Sequence, residues 1–222
     1  MARFTETRDV HDFSEIVIEG FGDAEVVQSD VESLEVEADE AVLERLKTEV
    51  RDGRLVLGLD LEWWEWLTYW ATWMTISDKL VRYRISMKTF EGATIKGSGS
   101  VKAGPVSSET CRLRISGSGK LTFERLETIE LHTQISGSGN VRLAGQAGRQ
   151  EIHISGSGDV SAPDLETRET EIHISGAGKA IVNAVDSLYV HISGSGDVRY
   201  VGAPHIEQSI AGAGSVRPVK SQ

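Results

Sequence analysis

The stretch EIHISGSGDV, residues 151–160, returns almost unchanged as EIHISGAGKA, residues 171–180. Aligning the chain on itself finds the tract seven times: IKGSGSV, ISGSGKL, ISGSGNV, ISGSGDV, ISGAGKA, ISGSGDV and IAGAGSV. The first glycines are Gly97, Gly117, Gly137, Gly156, Gly176, Gly194 and Gly212, in steps of 18 to 20 residues. A fixed period of this size marks a solenoid, in which each repeat packs only on its neighbours.

Within one period the pattern is that of a strand. Isoleucine stands two before each first glycine, from Ile95 to Ile210. Four after the glycine come Val101, Leu121, Val141, Val160, Ala180, Val198 and Val216. Polar residues alternate with these, which is the period of a half-buried strand and not of a helix. Each unit reads as strand, Gly-x-Gly corner, strand, then a variable loop. Stacked coils would align the isoleucines in a column with steps of about 4.8 Å. The glycines permit positive φ and close backbone approach at the corner, and the serines are corner residues. The expected fold is all-β, a single-chain β-solenoid with coils of about 18–20 residues and one short helix near the N-terminus.

Sharper readings of the Ser-Gly tracts fail on spacing. A phosphate-cradling Walker loop needs glycine five before the Gly-Lys pair and Ser or Thr after it. Lys120 has Arg114 and Leu121 near those places, and Lys179 has His173 and Ala180. The calcium-binding nonapeptide β-helix has a period of nine, not twenty. No serine is marked out among seven similar corners, which leaves a catalytic triad without a candidate.

The first third differs. Residues 13–27, FSEIVIEGFGDAEVV, look like a worn copy of the unit, with Gly20-Phe21-Gly22 as its corner. A strand follows at LEVEA, 34–38. Asp39 is placed to cap a short helix over EAVLERLKTEV, with Val42, Leu46 and Val50 on one face. Asp52-Gly53 then predicts a hairpin-like turn into LVLGL. The segment LEWWEWLTYWATWMT, 61–75, holds all five tryptophans. Trp63, Trp66, Trp70 and Trp73 have helical spacing, and with Trp64 they form a candidate contact between copies in a homo-oligomer, dimer or trimer. Two parts are therefore expected: 5–86, β-rich with the degenerate repeat, the helix and the Trp-rich insertion; and 87–218, the regular repeats.

Composition limits function. The chain has 222 residues, a formal charge of -11, and 23 glycines against 4 prolines. An acidic chain without a basic stripe excludes nucleic acid as partner. Its single cysteine, Cys111, cannot form an internal disulfide. No stretch reaches the roughly 18–20 apolar residues that span a bilayer, and MARFTETRDVHDF has no apolar signal core. Read literally, that predicts a cytoplasmic chain; one trimmed after a signal peptide reads the same.

The repeated SGSGDV corners resemble the bacterial head GIN domain family. So do TETRDVHDFSEIVIEGFGDAEV, VEADEAVLERLKTEVRDGRLVLGL, the Trp-rich insertion and VRYRISM. The likeness runs from about Thr5 to Pro218. Members carry the label of auto-transporter adhesins. The resemblance implies a right-handed β-helix-like fold and an extracytoplasmic setting, usually behind a signal or lipoprotein peptide. It brings no catalytic residues.

Two functions remain. One is a non-enzymatic cell-envelope or surface module that binds a glycan, a surface protein or its own copies. The other is a carbohydrate-active β-helix enzyme, a polysaccharide lyase or hydrolase. An enzyme needs clustered carboxylates in a groove, whereas Glu151 and Glu171 are neighbours in a ladder. No cofactor and no catalytic residue is expected. The candidate ligand face comprises the outward residues three and five before the corner glycine: Glu151, His153, Glu171, His173, Tyr189 and His191. In register, these imidazoles and carboxylates could hold zinc or copper, present a polar face for sugars with Tyr189 as platform, or stand in water as ordinary surface.

Overall fold

A computed structural model describes residues 3–59 and 81–219. The first half contains β1 (Arg3–Arg8), β2 (Glu15–Gly20), β3 (Asp23–Gln28), β4 (Ser33–Asp39) and the one-turn helix α1 (Glu40–Leu43). It continues with β5 (Leu46–Arg51), β6 (Arg54–Leu59), β7 (Arg82–Met87) and β8 (Gly92–Gly97). Five long strands follow: β9 (Ser100–Gly117), β10 (Lys120–Gly137), β11 (Asn140–Gly156), β12 (Asp159–Gly176) and β13 (Lys179–Gly194). The last coil and a half are β14 (Asp197–Val201), β15 (His205–Gly212) and β16 (Ser215–Pro218).

The long strands run from one corner to the next, and each is a coil of a β-solenoid. β9 to β13 stack parallel in chain order; β13 then carries β14 and β15, and β14 carries β16. The isoleucine column is real. Ile18, Ile95, Ile115, Ile135, Ile154, Ile174, Ile192 and Ile210 are successive register partners. All but the last are buried; Ile210, on the terminal coil, is 37% exposed. Inside, neighbouring coils alternate side-chain size: Phe123 stacks between Ala103 and Leu143 and meets Phe90 edge to face at 5.5 Å. This is how an interior fills to native density without voids.

The two glycines of each corner do different work. Gly156 has φ +122, and a Cβ placed there would lie 2.5 Å from the carbonyl oxygen of Gly137 in the coil below. Gly158 needs no unusual φ. Its missing Cβ leaves the slot taken by Cγ2 of Ile135, which a Cβ would meet at 2.5 Å. The same pairing of a second glycine with the preceding coil's isoleucine repeats from Gly99 on Ile18 to Gly214 on Ile192. Backbone bonds continue the ladder through the bend, with the amide of Ser157 donating to the Gly137 carbonyl at 2.9 Å and that of Asp159 to Gly139 at 2.9 Å.

The worn copy belongs to the stack. β2 and β3, with the Gly20–Gly22 corner between them, lie directly on β8 and β9, and Gly20 pairs with Gly97. One layer further out β6 pairs parallel with β2, and β7 with β3. The end of β6 and the start of β7 stand where other coils turn their Gly-x-Gly corner. The Trp-rich stretch 61–75, joining those two strands, lies outside the described residues. Beyond them the pairing turns antiparallel, β5 on β6 and β4 on β7, with β1 on β4.

The helix expected over residues 40–50 is shorter than its spacing predicts. The helix ends at Leu43, and Leu46–Arg51 is strand β5. Asp39 makes no side-chain cap. The spacing of four between Leu46 and Val50 fits a strand as well as a helix, since four is twice the strand period. The turn decides: Asp52 (φ 50) and Gly53 (φ 72) form a hairpin bend that zips Leu46–Arg51 onto Arg54–Leu59.

Gly156→Val forces a β-branched residue into a conformation reserved for glycine and should cost at least about 1–3 kcal/mol. Gly158→Ala should be destabilising through Ile135, and Ile135→Ala alone should cost about 2–5 kcal/mol. Combined, these two should cost less than their sum by about 0.5–3 kcal/mol, measured by chemical denaturation; strict additivity would remove the interlock. Separately, Gln150 is fully buried between Leu131 and Thr170, and neither polar atom of its amide meets a protein partner. Gln150→Leu should therefore raise the melting temperature by about 2–4 °C; a lower value would contradict this reading of the core.

Candidate functional site

Every second residue of the strand segment before the corner points outward, so three outward columns run up the solenoid seven, five and three residues before each first glycine. Register partners in the nearest column are Arg114, Gln134, His153, His173, His191 and Ser209. The next holds Arg112, His132, Glu151, Glu171, Tyr189 and Glu207. The structure thus brings together all six residues predicted from the sequence, on adjacent coils of β11, β12 and β13. The tryptophans Trp63, Trp64, Trp66, Trp70 and Trp73 lie outside the described residues.

The ladder is bonded, not merely adjacent. Glu151 takes an imidazole on each oxygen: Nε2 of His153 at 2.6 Å and Nδ1 of His132, one coil away, at 2.8 Å. Glu171 pairs with Nε2 of His173 at 2.9 Å and accepts from Arg149 at 2.8 Å. His153 and His173 stack face to face, ring centres 4.8 Å apart and planes 4° from parallel. His191 sits 6.0 Å beyond, tilted by 45°. The bond from His153 holds the Glu151 carboxyl below the usual carboxylate range, with His132 adding to the effect, against partial burial. His173 and then Arg149 do the same for Glu171.

This geometry limits the chemistry. Both carboxyls are held as carboxylates, so the pair supplies two bases and lacks the raised carboxylic acid that glycosidic cleavage uses. In the stacked pair each imidazole turns its Nε2 to the glutamate of its own strand. Among the described residues no group of three or more His, Cys, Asp and Glu gathers as metal ligands do. What the face offers is a flat, half-exposed array of hydrogen-bonding groups. At its upper end lies a shallow depression of about 240 Å³, walled by Glu171, His173, Tyr189, His191, Glu207 and Ser209, with Tyr189 43% exposed.

Sequence reasoning missed two features. The Arg149 contact was legible, because Arg149 stands two before Glu151 and so shares its face. The other is a trough of about 690 Å³ across four coils, where Ser107, Thr128, Ile129, Ala147, Gly148 and Arg168 lie in its lining. It is built by the stretches expected to be variable loops, which are instead continuous strand within β9 to β12 and carry no repeated motif to reveal it.

The described residues contain no helix long and apolar enough to cross a membrane. No curated protein matches the chain. Among solved structures, it is similar to a putative adhesin from Bacteroides fragilis NCTC 9343, with TM-score 0.85 and 24% identity over 98% of this chain and 97% of that one. It is also similar to a putative lipid binding protein from Parabacteroides distasonis ATCC 8503 (TM-score 0.77, 24% identity, 98% and 97% covered). A putative adhesin from Parabacteroides merdae ATCC 43184 is a third (TM-score 0.74, 22% identity, 98% and 96% covered). At these identities the likeness establishes the shared fold. The family described as "Putative auto-transporter adhesin, head GIN domain" matches residues 12–204, most of the length, and the chain belongs to that family.

Proposed function

We propose that the protein is a non-enzymatic, cell-surface binding module whose flat His/Glu/Tyr face takes a glycan chain. The observation that carries this reading is the depression beside Tyr189. There an exposed aromatic ring, a carboxylate held ionised and two imidazoles line one shallow concavity. Sugar recognition uses this combination, with an aromatic face for the C–H side of the ring and fixed polar groups for its hydroxyls. The surface setting draws on the family's adhesin description and on the adhesin names of the neighbours in fold.

A glycan array with Tyr189→Ala/His173→Ala beside the parent chain tests the reading. Both positions are half-exposed, so the melting temperature should stay within about 1–2 °C while glycan binding falls roughly tenfold or more. The same glycans should show no new reducing or unsaturated ends after incubation. Glycan binding untouched by the double substitution would remove this face from the site. Cleaved product would restore the enzyme reading.

A further inference from the structure

Five of the six histidines of the chain stand on this one face: His132, His153, His173, His191 and His205, one on each of five successive coils. Imidazole is the side chain whose charge changes between about pH 5 and 8. Their charged neighbours can be named coil by coil. β9 contributes Arg112 and Arg114; β10, Glu130; β11, Arg149 and Glu151; β12, Glu169 and Glu171; and β15, Glu207. β13 adds only the neutral Ser187 and Tyr189 to this set. Arg112 lies 3.6 Å from Glu15 of β2, at the lower border of the strip.

With neutral imidazoles, five carboxylates against three guanidiniums leave the strip two charges negative. With all five imidazoles protonated, the same strip is three charges positive, on a chain whose formal charge is -11. Acidification would therefore reverse the sign of one face while the molecule as a whole stays acidic. The rigid stack matters: in-register strands hold these charges at steps of about 4.8 Å, a regular row rather than a diffuse cloud. A row of cations attracts a chain of anions strongly and in a salt-dependent way, while the same row as anions repels it.

We propose that this face is a pH-gated site for a polyanionic glycan, closed when its imidazoles are neutral and open when they are protonated. The proposal rests on the face being the binding surface, as argued above, and adds the ligand's charge and the gate. The stacked pair His153 and His173 bears the gate's cost, since two imidazolium rings 4.8 Å apart repel each other. A bound anion bridging the pair relieves that repulsion, which couples ligand binding to proton uptake.

Binding of dextran sulfate, with neutral dextran as control, should be measured by calorimetry at pH 5 and pH 8 in low salt. The parent chain should bind dextran sulfate at least about tenfold more tightly at pH 5, weaken with added salt, and ignore neutral dextran. His153→Gln/His173→Gln/His191→Gln should lose most of the difference between the two pH values. Conversely, Glu151→Gln/Glu171→Gln, which keeps every histidine and leaves three carboxylates against three guanidiniums when the imidazoles are neutral, should bind dextran sulfate more tightly than the parent chain at pH 8. Equal binding at both pH values, a pH response retained by the triple variant, or no gain in the glutamine pair would overturn the proposal. If binding is independent of pH yet lost in Tyr189→Ala/His173→Ala, the gate fails while the glycan face stands. If binding ignores every substitution on the face, both fail.

Discussion

Everything in this molecule depends on one steric fit between consecutive coils. The Cγ2 methyl of each column isoleucine occupies the space that a side chain on the next coil's second corner glycine would need. The first glycine supplies the positive φ of the bend and lets the carbonyl of the coil below approach without a Cβ in the way. Burial alone excludes a slip by one residue, which would turn the isoleucines outward, but a slip by two keeps both the backbone ladder and the buried face. Here a slip by two residues would take the second corner glycine away from the isoleucine methyl that needs its missing Cβ. Burial of the column, at about 1.5–3 kcal/mol for each isoleucine, supplies the driving force. The glycines decide its alignment.

That alignment explains how repeats of unequal length build a regular surface. The repeat steps vary between 18 and 20 residues, yet the corners stay in register from Gly20 to Gly212. The difference is absorbed away from the corner, where register shifts occur between Phe123 and Leu126, Arg142 and Ala144, and Ala162 and Glu166. The strand segment before each corner is therefore the most ordered part of the coil in register. It carries the imidazoles and carboxylates. The looser side of the coil forms the trough, whose lining changes from one repeat to the next.

Much of this was legible in the sequence, for a physical reason. In a solenoid the contact between coils is a contact between equivalent positions, so the period alone predicts register, the isoleucine column and the neighbours of His173. The same argument placed the worn Gly20-Phe21-Gly22 copy as a coil, although it gives no hint that this coil stacks on Gly97, across an excursion through four further strands. The helix over Glu40–Val50 was misjudged because a spacing of four satisfies both periods, and only the Asp52-Gly53 hairpin broke the tie. The bridge from Glu151 to both His132 and His153 was not foreseen, since alternation says which residues share a face but not which way a carboxylate turns.

The most direct test of the central claim is a disulfide trap across the stack. Ser155 and Ser175 are outward-facing register partners immediately before the corner, so Ser155→Cys with Ser175→Cys should oxidise readily to an internal crosslink. The native Cys111 is buried, and burial pushes its thiol up to about 12, which keeps it out of the reaction. Shifting one partner by two residues, as His153→Cys with Ser175→Cys, separates the pair beyond ready bonding. Fast crosslinking of the first pair and little of the second is the predicted result. Equal crosslinking of both would mean that the coils slide, and that the glycine–isoleucine fit does not set the register on which the face depends.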